Sequence, residues 1–282
     1  ISLVDLPSIE SLHHLREADR QVLMVLLWGD RWPEIARHEP QQPTSPFRAP
    51  DALLQVVDAT ALERDLELSL ELSLLGRPLV IALNRMDEAR EKGIYVNARA
   101  LSERLGVPVV ATVAHMGMGL TDLFAAALAA AREQACPLAQ QCSEHIREGL
   151  KPLNAILARP EIEEAFRVPR PLLLMQLAEN DDWFLRELAE HFSSVVPEVT
   201  AARAAAQQTL PRPLSDELHA DRHHRAALLY EAVTRLGAPE DSERWKRWAD
   251  ELFLHPRWGL IGSLAVFALV LASLGIFALV SY

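Results

Sequence analysis

A chain of 282 residues, half of them hydrophobic and 24% charged, has the length and composition of one large globular domain or two smaller ones. Its formal net charge of -11 argues against a general nucleic-acid binder and against attachment to an anionic membrane surface by charge alone. Two cysteines, Cys136 and Cys142, make no disulfide framework and point to a reducing, cytosolic setting for the soluble part.

In chain order, the run Ile1 to Pro7 reads as a strand entering a turn, with Asp5 at its carboxyl end. Residues 12–28 read as a helix, and the proline-rich stretch from Trp28 to Pro50 as a surface loop or insertion. Leu53 to Asp58 is a second strand, Ala59 to Leu75 a helix closed by Gly76, and the β-branched run Leu79 to Asn84 a buried third strand. Glu63, Glu67 and Glu71 share one face of that helix, which reads as solvated, with metal binding as the alternative. Residues 97–105 form a helix ending at Gly106, Val107 to Ala114 a fourth strand, and Gly117 and Gly119 turn the chain into a helix from Leu120 to about Glu133. Strands and helices alternating at these lengths predict a doubly wound parallel sheet.

After Pro137 the strand signal stops, and segments near 143–158, 170–191, 196–207 and 215–236 read as helices. His219 and His223 fall on one helix face, where a metal is the alternative to a polar surface. Glu161 and Glu164 read as solvated, and the two cysteines as reduced thiols. Leu260 to Val280 is uncharged and apolar throughout, about the length that crosses a bilayer. Arg244, Lys246, Arg247 and Arg257 precede it, which sets its N-terminal side in the cytoplasm, and Trp258 and Tyr282 stand at its two ends. There is no signal peptide, and the opening at Ile1, inside an apolar run, predicts that the front of a longer protein is missing.

The sharpest chemical pattern is Asn84-Arg85-Met86-Asp87 at the carboxyl end of the third strand, where open α/β sheets bind their ligands. A carboxylate there accepts two N–H bonds from one edge of guanine, an edge adenine lacks, and an asparagine amide braces the neighbouring loop and reaches the base N7. At the first strand, Asp5 is placed to hold Mg²⁺ through water, or else caps the next turn.

Together these runs resemble FeoB, the bacterial ferrous iron transport protein B family. Val57-Asp-Ala-Thr-Ala-Leu-Glu-Arg-Asp-Leu-Glu-Leu68 is similar to the family's V-D-A-T-N-L-E-R-N-L-Y-L run, and Ala82 to Ala89 with Lys92-Gly-Ile94 is similar to its guanine-specificity segment. Leu101 to Val110 continues the likeness, and His255-Pro-Arg-Trp-Gly-Leu260 resembles the entry into the first membrane helix. The resemblance implies a P-loop-GTPase-like doubly wound sheet at 1–136, a helical linker domain at 137–254 and a transmembrane helix at 255–282. It places the protein in the bacterial inner membrane with its N-terminal domains cytoplasmic. Guanine nucleotide (GTP or GDP) with Mg²⁺, the lipid bilayer, small Feo accessory proteins and a second copy are the implied partners, with Fe²⁺ as the transported ion. Asn84, Arg85 and Asp87 would then read guanine; Val113, Ala114 and His115 would form the loop whose backbone N–H meets the guanine oxygen; Asp5 and Ser8 would lie in the element that senses Mg²⁺ and the γ-phosphate.

Four departures qualify that expectation. Ser8 stands where the family has glycine, Val113 where serine is common, and 28–50 is longer than the family's stretch. No G-x-x-x-x-G-K-[ST] occurs in the chain, so the amide cradle and lysine for the phosphates are missing along with the first strand of the sheet. The chain alone is therefore expected to be inactive as a GTPase, and the alternative reading is a membrane-tethered pseudo-GTPase that serves as an interaction module. A soluble GTPase of another family fits the apolar tail and acidic charge least well.

Overall fold

The computed structural model describes residues 2–13, 15, 17–36, 48–134, 136–137 and 142–237. In order, these form α1 (Glu17–Trp28), β1 (Leu53–Asp58), α2 (Leu62–Leu72), β2 (Leu79–Asn84), α3 (Met86–Glu91), β3 (Ile94–Val96), α4 (Ala98–Leu105), β4 (Val109–Ala111) and α5 (Leu120–Glu133). There follow α6 (Glu144–Leu157), α7 (Pro160–Phe166), α8 (Arg170–Ala178), α9 (Asp182–His191), α10 (Val196–Thr209), α11 (Leu214–Val233) and β5 (Thr234–Leu236). The described residues group into two compact units, one within 1–86 and 96–234 and one within 87–95 and 235–237.

The first unit is built on a parallel sheet of order β1-β2-β4. β2 sits in the middle and is buried on both faces from Leu79 to Leu83, which is why its sequence is an unbroken apolar run rather than an alternating one. On one face, Val80 and Ala82 pack against Leu123 and Ala130 of α5. The helices stop where glycine can turn left-handed: Gly76 (φ 58°) follows the 3-10 turn Ser73–Leu75, and Gly106 (φ 69°) ends α4. Asn97 starts α4 by accepting the Ala100 N–H.

The helices after residue 142 bury Leu150, Leu153, Phe166, Leu172, Leu188 and Val199 among themselves. α10 packs on α6, α6 on α8, and α11 along α2. In the second unit α3 leads to Gly93, whose carbonyl accepts the Gly237 N–H at 2.8 Å, and β3 pairs with β5.

Five expectations are corrected. Residues 2–9 form no strand, and Leu3 is 73% exposed: an apolar run makes a strand only where a neighbour offers its ladder, and β1 is an edge strand among the described residues. Trp28, Trp32, Ile35 and Ala36 are buried rather than in a surface loop; Trp28 lies 5.6 Å from Trp32 and 6.0 Å from Trp183, centroid to centroid. The single helix expected over 170–191 is two, because Asn180 turns left-handed (φ 66°) and Asp181 caps α9 by accepting the Trp183 and Phe184 N–H groups. The strand signal does return, in β5. Glu71 is not on a solvated face: it is 2% exposed. Among the described residues no helix is long and apolar enough to cross a membrane; the Leu260–Val280 segment lies outside them.

Candidate functional site

The carboxyl end of β2 delivers Asn84, and two flanking strands fix it. Its backbone carbonyl accepts the Ala59 N–H at 2.9 Å, from just beyond β1. Its side-chain Oδ1 accepts the Ala114 N–H at 3.0 Å and the Thr112 hydroxyl at 3.2 Å, from just beyond β4. Thr112 is itself buried, and its N–H bonds to the Leu83 carbonyl at 2.8 Å. Oδ1 is thus committed to holding the loop, while no acceptor among the described residues takes the Nδ2 amide, so the carboxamide is oriented with its donor end available.

The loop it holds is a tight one. Val113 and Met118 exchange backbone hydrogen bonds at 3.1 and 3.2 Å, and the 3-10 turn Ala114–Met116 closes on Gly117 (φ 72°). Val113 is buried, and Ala114 and His115 are exposed. Gly119 (φ 78°) then starts α5, and a Cβ there would lie 2.3 Å from the Ala111 carbonyl oxygen, so only glycine lets the loop pass this close to β4.

Arg85 follows in the left-handed region (φ 62°) and donates from Nη1 to Asp58 Oδ2 at 2.7 Å. Asp58 Oδ1 accepts the Thr60 N–H at 2.8 Å. Burial pushes the Asp58 carboxyl up, but the Thr60 N–H and hydroxyl and the Arg85 guanidinium outweigh it and hold the group below its ordinary 3.8. Asp87 stands half-buried in the first turn of α3, in the second unit. Asp5 and Ser8 are exposed in the stretch without regular structure.

The structure thus joins Asn84, Val113 and Ala114 into one arrangement and adds two residues that sequence reasoning missed. Thr112 lies just before the expected loop, and Asp58 closes a strand whose last residue points at the same sheet edge; the acidic end of β1 was the available signal. The alternative metal positions do not assemble. His223 Nδ1 lies 2.8 Å from Glu67 Oε1, His219 is exposed, and no group of three His, Cys, Asp or Glu side chains suited to a metal occurs among the described residues. Glu161 and Glu164 are exposed, and both cysteines are free thiols.

A buried ionic cluster lies elsewhere in the first unit. Glu71 of α2 accepts the Leu12 N–H and the Ser11 hydroxyl and pairs with Arg222 of α11 at 3.0 Å. Glu179, after α8, lies 2.6 Å from His13 Nδ1 and 3.3 Å from Arg222. Gln176 donates to the Leu12 carbonyl at 2.7 Å, and Arg20 pairs with Asp181 at 2.9 Å. Leu12, His13 and Arg20 are thereby bound to the helices that follow residue 142.

Residues 46–127 match the family described as ferrous iron transport protein B. The chain is 51% identical over 75 residues to an Fe(2+) transport protein A/Fe(2+) transporter FeoB fusion protein of Porphyromonas gingivalis, covering 27% of this chain and 9% of that protein. It is 47% identical over 73 residues to the Fe(2+) transporter FeoB of Salmonella typhimurium, covering 26% and 10%. The match therefore spans about a tenth of the length of these relatives. The fold is similar to that of mGMPPNP-bound NFeoB from S. thermophilus (TM-score 0.65, 22% identity, 83% of this chain and 80% of that one). It is also similar to the apo cytosolic domain of the T. maritima FeoB iron transporter (TM-score 0.59, 18% identity, 82% and 79%). Residues 46–127, the stretch that carries β1, β2, β4 and the Asn84 loop, are thus similar in sequence to the ferrous iron transport protein B family.

Proposed function

We propose that this chain supplies the guanine-nucleotide-binding part of a ferrous iron transporter of the bacterial inner membrane. Residues 1–136 are its cytoplasmic G domain, 137–254 its helical linker and 255–282 its first membrane span. The observation that carries the reading is the Asn84 carboxamide, braced by Ala114 and Thr112 at the carboxyl end of the central strand and keeping its amide donor for a base N7. Asp87, three residues on, accepts the paired donors of a guanine edge, and the Val113–His115 loop borders the base. The Fe(2+) transporter relatives support the iron cargo, and the transport protein A fusion supports a small accessory partner. The uncharged 260–280 segment supports the lipid bilayer as the seat of the chain, and it holds no ionisable or thiol side chain to ligate Fe²⁺. Asp5 is exposed, and among the described residues it is not joined by the further carboxylates that would complete a Mg²⁺ site.

The test is nucleotide binding by the full-length gene product. Guanine nucleotides are expected to bind in preference to adenine nucleotides, and Asp87→Asn to shift the preference toward xanthine nucleotides. Unchanged guanine preference in D87N would remove Asp87 from the site. A second reading, a membrane-tethered pseudo-GTPase, is favoured by Ser8 and by the absence of a phosphate-loop motif in these residues. It requires that the full-length product bind no guanine nucleotide.

A further inference from the structure

Arg85 has an unusual backbone. The other non-glycine residues with positive φ, namely Gln134, Arg167 and Asn180, all stand at the ends of helices, where a left-handed residue terminates the element. Arg85 does not: it joins a strand to a helix, immediately after Asn84. A residue with a Cβ is disfavoured there, and such outliers persist only where surrounding contacts over-determine them. The end of β1 supplies two such contacts. Asp58 accepts the Arg85 guanidinium at 2.7 Å, and the next residue, Ala59, donates its N–H to the Asn84 carbonyl at 2.9 Å. Asp58 is itself held, since its N–H donates to Asp65 Oδ2 and its Oδ1 accepts the Thr60 N–H, both at 2.8 Å. The Arg85 and Asp58 side chains are 45% and 24% exposed, so the pair adds little to global stability.

We propose that Asp58 is a positioning residue for nucleotide recognition: through Arg85 it locks the left-handed turn that sets Asn84 toward the base. This rests on the guanine-nucleotide reading above. The end of β1 thereby acts on base recognition without touching the base.

The experiment is a double-mutant cycle on the full-length gene product, read as affinity for fluorescently labelled GDP and as melting temperature. Asp58→Ala is expected to weaken GDP binding about tenfold, the share of one charge-assisted hydrogen bond, with little change in melting temperature. In an Arg85→Ala background the same substitution is expected to do nothing more, because its effect passes through Arg85. If D58A fails to fold, Asp58→Asn keeps an acceptor for Thr60 and is expected to give a smaller loss that is likewise absent beside R85A. An undiminished affinity in the Asp58 variant, or an equal loss with and without Arg85, overturns the proposal and leaves the nucleotide reading standing. No GDP binding by the unsubstituted protein overturns both.

Discussion

Ser11 donates its hydroxyl to the carboxylate of Glu71 at 2.9 Å, across sixty residues of sequence and out of reach of solvent on the glutamate side. Glu71 takes the Leu12 N–H and the Arg222 guanidinium as well, so a single carboxylate satisfies three donors from two separate parts of the chain.

Glu71→Ala leaves those donors buried and Arg222 short of one of its two carboxylates. A loss of about 3 kcal/mol in unfolding free energy is expected from urea denaturation. In an Arg222→Met background the loss is expected to shrink, since the charge left behind is gone.

Gly117 and Gly119 adopt nearly the same backbone angles, 72° and 78°, yet their surroundings differ. A Cβ on Gly117 meets nothing within 4 Å, and one on Gly119 meets the Ala111 carbonyl oxygen at 2.3 Å. Gly117→Ala is expected to cost about 1 kcal/mol, the backbone penalty alone. Gly119→Ala is expected to cost about 3 kcal/mol, because the loop must also move off β4. Thermal melts of the two variants side by side check the contrast.

Two ion pairs set opposite pH dependences. The hydrogen bond to Glu67, the Glu67 charge and, more weakly, Glu63 hold the His223 ring above its ordinary 6.5, against a small lowering by burial. A raised value in the folded state gives stability that is full below 6.5 and lost as pH climbs through the folded value. Asp58 is held below 3.8, so its contribution is full above that value and lost as pH falls through the folded one. Urea midpoints across pH are expected to flatten on the alkaline side only in His223→Gln and on the acid side only in Asp58→Asn.

The sheet was legible because its signals are local. The run Leu79 to Asn84 is apolar since both faces are covered, and Gly76 and Gly106 mark helix ends by the one backbone angle only glycine adopts cheaply. Asn84 was legible for the same reason: its place follows from the end of its own strand. What stayed hidden depends on distant partners. Glu71 looks like the third rung of a solvated ladder until Arg222 and Leu12 are brought to it. The 2–9 run looks like a strand by composition, yet no strand among the described residues pairs with it. The break at Asn180 carries neither glycine nor proline, and β5 is three residues long, too short to show a period.

The clamp on Ser11 and Leu12 has a consequence for the stretch before it. Asp5 lies seven residues ahead of Leu12, and an extended chain covers about 3.5 Å per residue, so Asp5 is on a leash of roughly 25 Å. Whatever Asp5 or Ser8 meets lies within that radius of one buried point. A pull on the leash ends at Leu12, gripped by Glu71 of α2 on one side and Gln176 of α8 on the other, so tension there bears on both helices at once.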